Sequence, residues 1–468
     1  AVVPYEAQWA ESGHADIESS AFRHWDSEGI VDNACATCHS ASGYQDFLGA
    51  DASAAGSIEN THPVGNGLTC DTCHNDPAVS LVKITFPSGI EVSNIGDSAR
   101  CMVCHQGRSA GNRLEAAISA AGLTESRDTV STDIRFYNIH YYAAAATLYG
   151  GLANGGYQYI GANYEGQNQH VPGYNTCAGC HDAHTLEVKV DQCSRCHDGL
   201  YNSENLTDIR TSGSLVDYDG DGNVGEGIAH EISSLQNLLL TAMQSYSLEN
   251  TGTSIGYHAA AYPYFFTDVN SNGTIDEDEA IADNAFTTWT ARLLEAAYNY
   301  QTSLKDPGAY AHNPKYVVQI LFDSISDLNT HLINPVDLSA AQRDDAGHFN
   351  SASASFRHWD NFGSIEARCA RCHAADGLPT YLYNGVNIAT SVSDGFTCAT
   401  CHDMQNYPEL LTVDQVIFPS GTEITFGADN DANLCLNCHQ GSGSTPSVNN
   451  TLGDLENDNI GTNLRFIN

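Results

Sequence analysis

The chain is poor in basic residues and has no long apolar run, and each shortage argues against a class of protein. Its 468 residues contain 18 Lys and Arg against 57 Asp and Glu, a formal charge of −39 that argues against nucleic acid as a partner. No stretch approaches the ~18 consecutive apolar residues of a membrane span. The first residues lack the basic and apolar regions of a signal peptide, so we expect an exported chain whose signal has been removed. The acidic surface either attracts cations, such as metal ions and basic redox proteins, or is simply solvated.

No cysteine is left over from a single repeated pattern, C-x-x-C-H, which occurs eight times. Each copy places two thiols one helical turn apart, with a histidine directly after them, as covalent attachment of haem c requires. A disulfide framework has no need of that histidine, and zinc ribbons pair CxxC units without it. The sixteen predicted attachment residues are Cys35, Cys38, Cys70, Cys73, Cys101, Cys104, Cys177, Cys180, Cys193, Cys196, Cys369, Cys372, Cys398, Cys401, Cys435 and Cys438. The eight predicted proximal iron ligands are His39, His74, His105, His181, His197, His373, His402 and His439.

Eight macrocycles in a chain of this length must replace much of its apolar interior. The 41 Gly, 13 Pro and 23 Tyr agree with a loop-rich chain. We therefore expect a haem-cored fold that is mostly irregular, with short α-helices and little β-structure.

A long internal repeat organises the chain. Phe22–Asp26 recurs as Phe356–Asp360, and the match continues to Arg135–Asn138, which recurs as Arg465–Asn468. A three-haem module is thus duplicated. The second copy is cut short at its C-terminal end, which we expect to reflect either processing or an incomplete chain.

The repeat predicts three domains: a five-haem module at 1–200, a haem-free helical insert at 201–345, and a three-haem module at 346–468. Apolar periodicity in the insert predicts helices at Ala229–Tyr246, Ala280–Tyr300 and Lys315–Leu328.

Two segments of the insert resemble calcium loops. The segment 268–279 matches the twelve-position EF-hand loop, with a glutamate at position 12 that is followed by a predicted helix. Its predicted ligands are Asp268, Asn270, Asn272, Thr274 and Glu279. The segment from 217 has only the first half of the pattern, with predicted ligands Asp217, Asp219, Asp221 and Asn223. Glu226 or Glu231 would have to supply its missing carboxylate. The alternative for either segment is a solvated acidic loop.

Histidine is the plentiful sixth iron ligand, since the chain contains three methionines. Twelve histidines remain after the proximal ones, and four of them lie in the insert. The other eight equal the haems in number and are the predicted distal ligands: His14, His24, His62, His140, His170, His184, His348 and His358. His184 follows His181 by one helical turn and is expected to face a neighbouring haem.

The distribution of these ligands is uneven. Five haems before the insert have six candidates, whereas three haems after it have His348 and His358 nearby. One ligand must therefore come from the first half of the chain, from His312 or another insert histidine, or from the next subunit. We expect His14, near the N-terminus, as the first choice for a ligand in trans.

Several of these segments resemble the extracellular multihaem cytochromes of the OmcS and OmcE type. The similarity lies in Ser12–Asp16 and Phe22–Trp25, in the paired FPSG and CHQG stretches, and in Asn138–Tyr141 followed by Ala143–Gly151. The resemblance implies a filament in which haems stack continuously and a histidine of one subunit ligates a haem of the next. The chain departs from that family in its eight motifs, its duplicated module and its calcium insert.

The leading hypothesis is an extracellular electron-transfer conduit without catalytic residues. It would polymerise with copies of itself and pass electrons from cell-surface donors to acceptors such as metal oxides. The alternatives are an octahaem reductase or oxidase of nitrogen or sulfur compounds, which needs one open iron, and a periplasmic shuttle.

Overall fold

The chain folds into two compact units. The computed structural model describes residues 3–65, 67–171, 173–194, 196–197, 199–210, 216–345, 347–392, 395–428, 430–453 and 460–461. The first unit contains 3–168 and 173–345, and the second contains 169–171 and the described residues from 347 onward. The predicted insert therefore shares a unit with the predicted five-haem module, and a separate insert domain stays a prediction. The end of the repeat, Arg465–Asn468, lies outside the described residues.

Three helices, Ile228–Thr251, Ala291–Lys305 and Pro314–Asn329, form the centre of the larger apolar core in the first unit. The first and third agree closely with the helices predicted at Ala229–Tyr246 and Lys315–Leu328. Fully buried leucines and isoleucines line their contact, at the helical spacing that identified them in the sequence. Apolar periodicity was thus sufficient to locate two of the three helices.

The predicted start of the middle helix at Ala280 is wrong, and with it the expectation of a helix directly after Glu279. Ala282–Asn284 is a single 3₁₀ turn, and the α-helix begins at Ala291. The intervening chain pairs with a strand, since the Phe286 amide donates to the Phe265 carbonyl at 3.0 Å. The Asn284 side chain also donates to the carbonyl of Glu279 at 2.8 Å. These tertiary hydrogen bonds outcompete helix formation.

Side-chain caps fix where the two later helices begin. Thr290 Oγ1 accepts a hydrogen bond from the Leu293 amide at 3.2 Å. Asn313 Oδ1 accepts one from the Tyr316 amide at 3.2 Å, and Pro314 occupies the first turn, where its missing amide costs nothing. The short helix Ala309–His312 lies in the connection between them.

Buried polar side chains tie this helical core to the haem-motif segments. Asn299 Oδ1 accepts from the Tyr157 amide at 2.7 Å, and Asn299 Nδ2 donates to the Tyr157 carbonyl at 3.0 Å. Arg292 Nε donates to Asp128 at 2.7 Å, and the same guanidinium pairs with Asp327. Residues of the predicted five-haem module therefore pack directly on the predicted insert.

The remaining elements of the first unit are short. Its other α-helices are Glu6–Ala10, Ser20–Arg23, Asn33–His39, Ala41–Leu48, Cys70–Cys73, Asp76–Ser80, Ser98–His105, Gly111–Ala120, Ala144–Ala153, Cys177–Cys180 and Val190–Cys193, and Ser203–Asp208 is a 3₁₀ helix. Antiparallel strand pairs join Ile30–Val31 to His62–Pro63, Lys83–Thr85 to Glu91–Ser93, and Ile255–Tyr257 to Phe265–Thr267.

The second unit has the same character. Its α-helices are Ala354–Arg357, Ala367–His373, Gly377–Asn384, Cys398–Cys401, Ala432–Leu436 and Thr445–Leu452, with 3₁₀ turns at Gly347–Phe349 and Asp360–Phe362. Its strand pairs join Ser364–Ile365 to Thr390–Ser391 and Val416–Ile417 to Glu423–Ile424. No helix among the described residues combines the length and the apolar character needed to cross a membrane.

Candidate haem-iron centres

Six of the eight C-x-x-C-H motifs have both cysteines on one short helix, and the motifs of Cys193 and Cys435 begin on a helix and continue into a turn. The motif of Cys35, for example, lies in Asn33–His39, whose first turn is capped by the Asp32 carboxylate accepting from the Ala34 amide at 2.9 Å. None of the sixteen cysteines forms a disulfide, and each of these residues is half-buried or exposed. The thiols are therefore open to thioether formation with a macrocycle.

Five proximal histidines share one hydrogen-bonding arrangement, in which Nδ1 donates to a backbone carbonyl. The acceptors for His39, His105, His181, His373 and His402 are the carbonyls of Ala21, Tyr142, Leu186, Ser355 and Pro408, at 2.8–3.1 Å. A bond of this kind fixes the tautomer and orients the ring of a metal-binding imidazole. It leaves Nε2 of each ring for iron.

Sulfur atoms of different motifs lie side by side. The thiols of Cys38 and Cys104 hydrogen-bond to each other, and this contact lowers the pKa of Cys38. Cys372 and Cys438, their equivalents in the repeat, do the same. Haems attached at these motifs would therefore have neighbouring thioether edges.

Five proximal histidines also stand opposite a second histidine. Two imidazoles bound to one metal ion at about 2 Å each have ring centroids on the order of 6 Å apart. The observed centroid distances are 6.2 Å for His14 and His105, 5.9 Å for His39 and His140, 6.3 Å for His74 and His184, 6.4 Å for His181 and His312, and 6.0 Å for His348 and His439. The side chains present thus fit haem irons with two histidine ligands.

Burial favours the neutral, metal-binding form of several of these rings. It lowers the pKa of His14 to about 4, with a further contribution from His105. It likewise lowers the pKa of His140 to about 4, together with the nearby His39 and Arg108. A neutral imidazole offers iron a lone pair, whereas a protonated one does not.

Four predicted distal ligands thus lie beside a proximal histidine of their own unit. His14 stands opposite His105 of the same chain, and its predicted role as a ligand in trans stays a prediction. His184 faces His74, which belongs to a different motif from the one it follows. His24 and His358 are exposed, and each contacts the tryptophan that follows it, at 4.9 and 4.8 Å between ring centroids.

The structure does not support His62 as a distal ligand. Its ring is 4% exposed, and both of its nitrogens are used: Nδ1 lies 3.0 Å from Ser42 Oγ, and Nε2 lies 3.1 Å from an Asp46 carboxylate oxygen. Asp46 is the centre of a buried network that also accepts from the amides of Glu59 and Asn60. The environment is that of a structural histidine.

His170 belongs to the second unit, although it precedes the insert in sequence. The second unit therefore contains three predicted distal ligands, His170, His348 and His358, for its three motifs. This placement agrees with the alternative in which the missing ligand comes from the first half of the chain, and a ligand from the next subunit stays a prediction. For the three haems whose predicted proximal ligands are His197, His373 and His402, the distal ligands stay predictions.

A cavity of about 350 Å³ adjoins the pair formed by His39 and His140. Its lining includes His140, Tyr262, Arg108 and Arg113. Two cations at one cavity are notable in a chain with 18 Lys and Arg, and they suit an anionic group such as a carboxylate.

The predicted calcium loop at 268–279 is closed by hydrogen bonds between its carboxylates and its own amides, and calcium there stays a prediction. Glu279 Oε1 accepts from the amides of Val269 and Asn270 at 2.9 and 3.2 Å, and Asp268 Oδ2 accepts from the Gly273 amide at 2.8 Å. Gly273 has a φ of 87°, the left-handed conformation that the sixth position of such a loop requires. The carboxylates of Asp268 and Glu279, at positions 1 and 12, are thus held by backbone amides of the loop.

The loop from Asp217 repeats these contacts with Glu231 in place of the position-12 glutamate. Asp217 Oδ2 accepts from the Gly222 amide at 2.8 Å, and Glu231 Oε2 accepts from the amides of Tyr218 and Asp219 at 2.8 and 3.0 Å. Of the two alternatives, Glu231 makes these loop contacts, and the choice between Glu226 and Glu231 as a calcium ligand stays a prediction. Its second oxygen pairs with Arg210 at 2.6 Å.

Two carboxylate oxygens beside this loop, Asp219 Oδ2 and Glu226 Oε1, are buried without a hydrogen-bond partner. Burial, followed by repulsion from neighbouring carboxylates, raises the pKa of both groups. Oxygens of Asp217, Asp219 and Glu231 lie within 4.8 Å of one another, and so do those of Asp219, Asp221 and Glu226. Oxygen ligands so arranged suit a hard divalent cation.

Comparison with known proteins gives distant relatives. The chain is 27% identical to the C-type polyheme cytochrome OmcB of Geobacter sulfurreducens, over 70% of the chain and 48% of the relative. It is 26% identical to the C-type polyheme cytochrome OmcC of the same species, over 71% of the chain and 47% of the relative. The chain thus spans about half the length of these relatives. No family model matches the chain, and no solved structure matches it. The distant similarity supports placing the chain among the multihaem c-type cytochromes.

Proposed function

We propose that the chain carries electrons outside the cell through eight covalently bound c-type haems, each with two histidine ligands. The observation that carries this proposal is the set of five histidine pairs, whose centroids lie 5.9–6.4 Å apart beside attachment motifs. When bound, haem supplies reversible one-electron chemistry. An iron with two protein ligands has no open position for a substrate, and this favours electron transfer over catalysis.

The residues of the chain would hold and orient the haems. The cysteines would form the thioethers, and the carbonyls that accept from Nδ1 would fix each proximal ring. Neighbouring thioether edges, as at Cys38 and Cys104, would bring macrocycles close enough for electrons to pass between them. The distant relatives, which are named as polyheme cytochromes, agree with this function.

Polymerisation into a filament and transfer to acceptors such as metal oxides are part of the same proposal. They are supported by the sequence resemblance described above and by the acidic surface, which attracts cations. Because His14 lies beside His105, we propose that any ligand shared between subunits is a different histidine. Calcium in the two loops of the insert would act structurally, since extracellular calcium would keep such sites filled.

Carbon monoxide binding to the reduced, haem-loaded chain tests this function. We expect the protein mass to include eight haems and the irons to bind almost no carbon monoxide. Binding at a full equivalent per chain would instead support a reductase with an open iron. Negative-stain imaging tests polymerisation separately, and a monomer at high concentration would contradict the filament.

A further inference from the structure

His312, in the haem-free segment, stands opposite the proximal histidine of the fourth motif. Its ring centroid lies 6.4 Å from that of His181, and the ring planes are inclined by 38°. His181 follows Cys177 and Cys180 and donates from Nδ1 to the Leu186 carbonyl at 3.0 Å. Nε2 of His181 is therefore left for iron.

The chain around His312 holds its ring in a fixed position. Nδ1 lies 2.8 Å from Asp306 Oδ2, and the side chain of Asp306 is 2% exposed. Asp306 Oδ1 is fixed in turn by the Gly308 amide at 3.1 Å. A Cβ at Gly308 would lie 2.7 Å from His312 Cε1, so only glycine gives the ring this much room. Nε2 is again the nitrogen left for a metal ion.

We propose that His312 is the distal ligand of the haem attached at Cys177 and Cys180, and that it takes the place predicted for His62. The inference rests on the proposed haem function. It also makes the number of candidate distal histidines equal to the number of predicted haems in each unit. If His62 keeps its network with Asp46, five candidates would remain for the five haems of the first unit and three for the three haems of the second. They are His14, His24, His140, His184 and His312 in the first unit, and His170, His348 and His358 in the second.

Asp306 is then a positioning residue with a redox consequence. A carboxylate that accepts from the second nitrogen of an iron-bound imidazole makes that ligand more basic. A more basic ligand stabilises ferric over ferrous iron and lowers the reduction potential. Among the five histidine pairs, the described contacts show a carboxylate hydrogen-bonded to a ring nitrogen only at His312. The haem of the fourth motif should therefore have a lower potential than its neighbours.

Spectra of the full, haem-loaded chain test the ligand. His312→Ala should convert one haem per chain to a high-spin form that binds one equivalent of carbon monoxide, and added imidazole should restore the low-spin form. His62→Ala should remain low-spin. A wholly low-spin His312→Ala protein, or a high-spin haem in His62→Ala, would overturn the assignment.

A second variant covers the case in which His312→Ala does not accumulate. Asp306→Asn keeps a hydrogen-bond acceptor but removes the charge, so one haem should titrate at a higher potential while all irons stay low-spin. Asp208→Asn is the matched control, since Asp208 pairs with the exposed His230 at 3.3 Å. Unchanged potentials in Asp306→Asn would contradict the role of Asp306. A wild-type protein that already binds carbon monoxide would count against the proposed function, whereas the His312 assignment depends only on the change between variant and wild type.

Discussion

The helical core and the haem-motif segments bury their side chains to very different extents. Helix Ala291–Lys305 buries fourteen of its fifteen residues, whereas the motif helices Cys177–Cys180 and Val190–Cys193 bury none. The first is held by apolar and polar contacts within the polypeptide. These two motif helices present thiols and imidazoles instead, whereas the motif helix Ser98–His105 contributes Met102 and Val103 to a smaller apolar cluster. One chain thus combines a fold that its own side chains stabilise with a fold that we expect macrocycles to complete.

Removal of haem is the most severe test of this contrast. Full-length chain produced without haem attachment should lose amide protection in Cys177–Cys180 and Val190–Cys193, because helices without buried side chains cannot offset the entropy of ordering. Protection should persist in Ile228–Thr251, Ala291–Lys305 and Pro314–Asn329. Hydrogen exchange with mass spectrometry measures both regions in one sample, with the haem-loaded chain as the control. Equal loss of protection in both regions would remove the distinction.

Removal of one buried side-chain amide, that of Asn299, should weaken the contact between the helical core and the haem-motif segments. Asn299→Ala leaves the amide and carbonyl of Tyr157 without partners in a fully buried position, which should cost about 3 kcal/mol of unfolding free energy. Urea unfolding of the haem-loaded chain, followed by far-ultraviolet circular dichroism, measures the loss. Asn237→Ala makes the same change on an exposed helix position and should leave stability within about 0.5 kcal/mol. A similar effect of both substitutions would contradict a special role for Asn299.

Calcium should increase the difference in stability between the two regions, because both proposed calcium loops lie beside the helical core. At a hundredfold excess over its dissociation constant, calcium should add about 2.7 kcal/mol per site, and a chelator should remove it. Glu279→Gln should abolish the contribution of the loop at 268–279, since that carboxylate faces the loop amides. Glu277→Gln, at a 95% exposed side chain, is the control and should keep it. Isothermal titration with calcium counts the sites, and the absence of any binding would refute the predicted calcium sites in both loops.

The smallest expected effect is an acid-dependent loss of stability in the first motif segment. Burial raises the pKa of Asp46, but hydrogen bonds from Asn60, Ser53, Glu59 and His62 outweigh it and lower the pKa to about 2. Because the folded pKa is depressed, this stabilisation is complete above the unfolded value near 3.8 and is lost as the pH falls towards 2. Asp46→Asn should weaken the pH dependence of unfolding between pH 4 and 2.

Thermal unfolding at several pH values measures this effect. Asp133→Asn, an exposed carboxylate, is the control and should leave the profile unchanged. If Asp46→Asn and Asp133→Asn give the same profile, the buried network is not the source of the acid sensitivity.

Some features could be predicted because they depend on neighbours in sequence. The spacing of Cys177, Cys180 and His181 places them on one short turn, and Asp268 to Glu279 form one loop whose amides reach their own carboxylates. Apolar periodicity located two of three core helices. It failed at Ala280, where pairing of Phe286 with Phe265 replaced the expected turn of helix.

The sequence by itself determined the C-x-x-C-H spacing and the positions of the acidic loop segments, because each is a local pattern whose parts lie within a short stretch of chain. Only the tertiary structure decided which second histidine faces which motif. His62 and His312 look alike in the sequence, yet packing uses both nitrogens of the first and leaves Nε2 of the second. The contacts of His62 with Asp46 and of His312 with His181 join residues that are far apart in the chain, and the spacing of a local pattern does not show them.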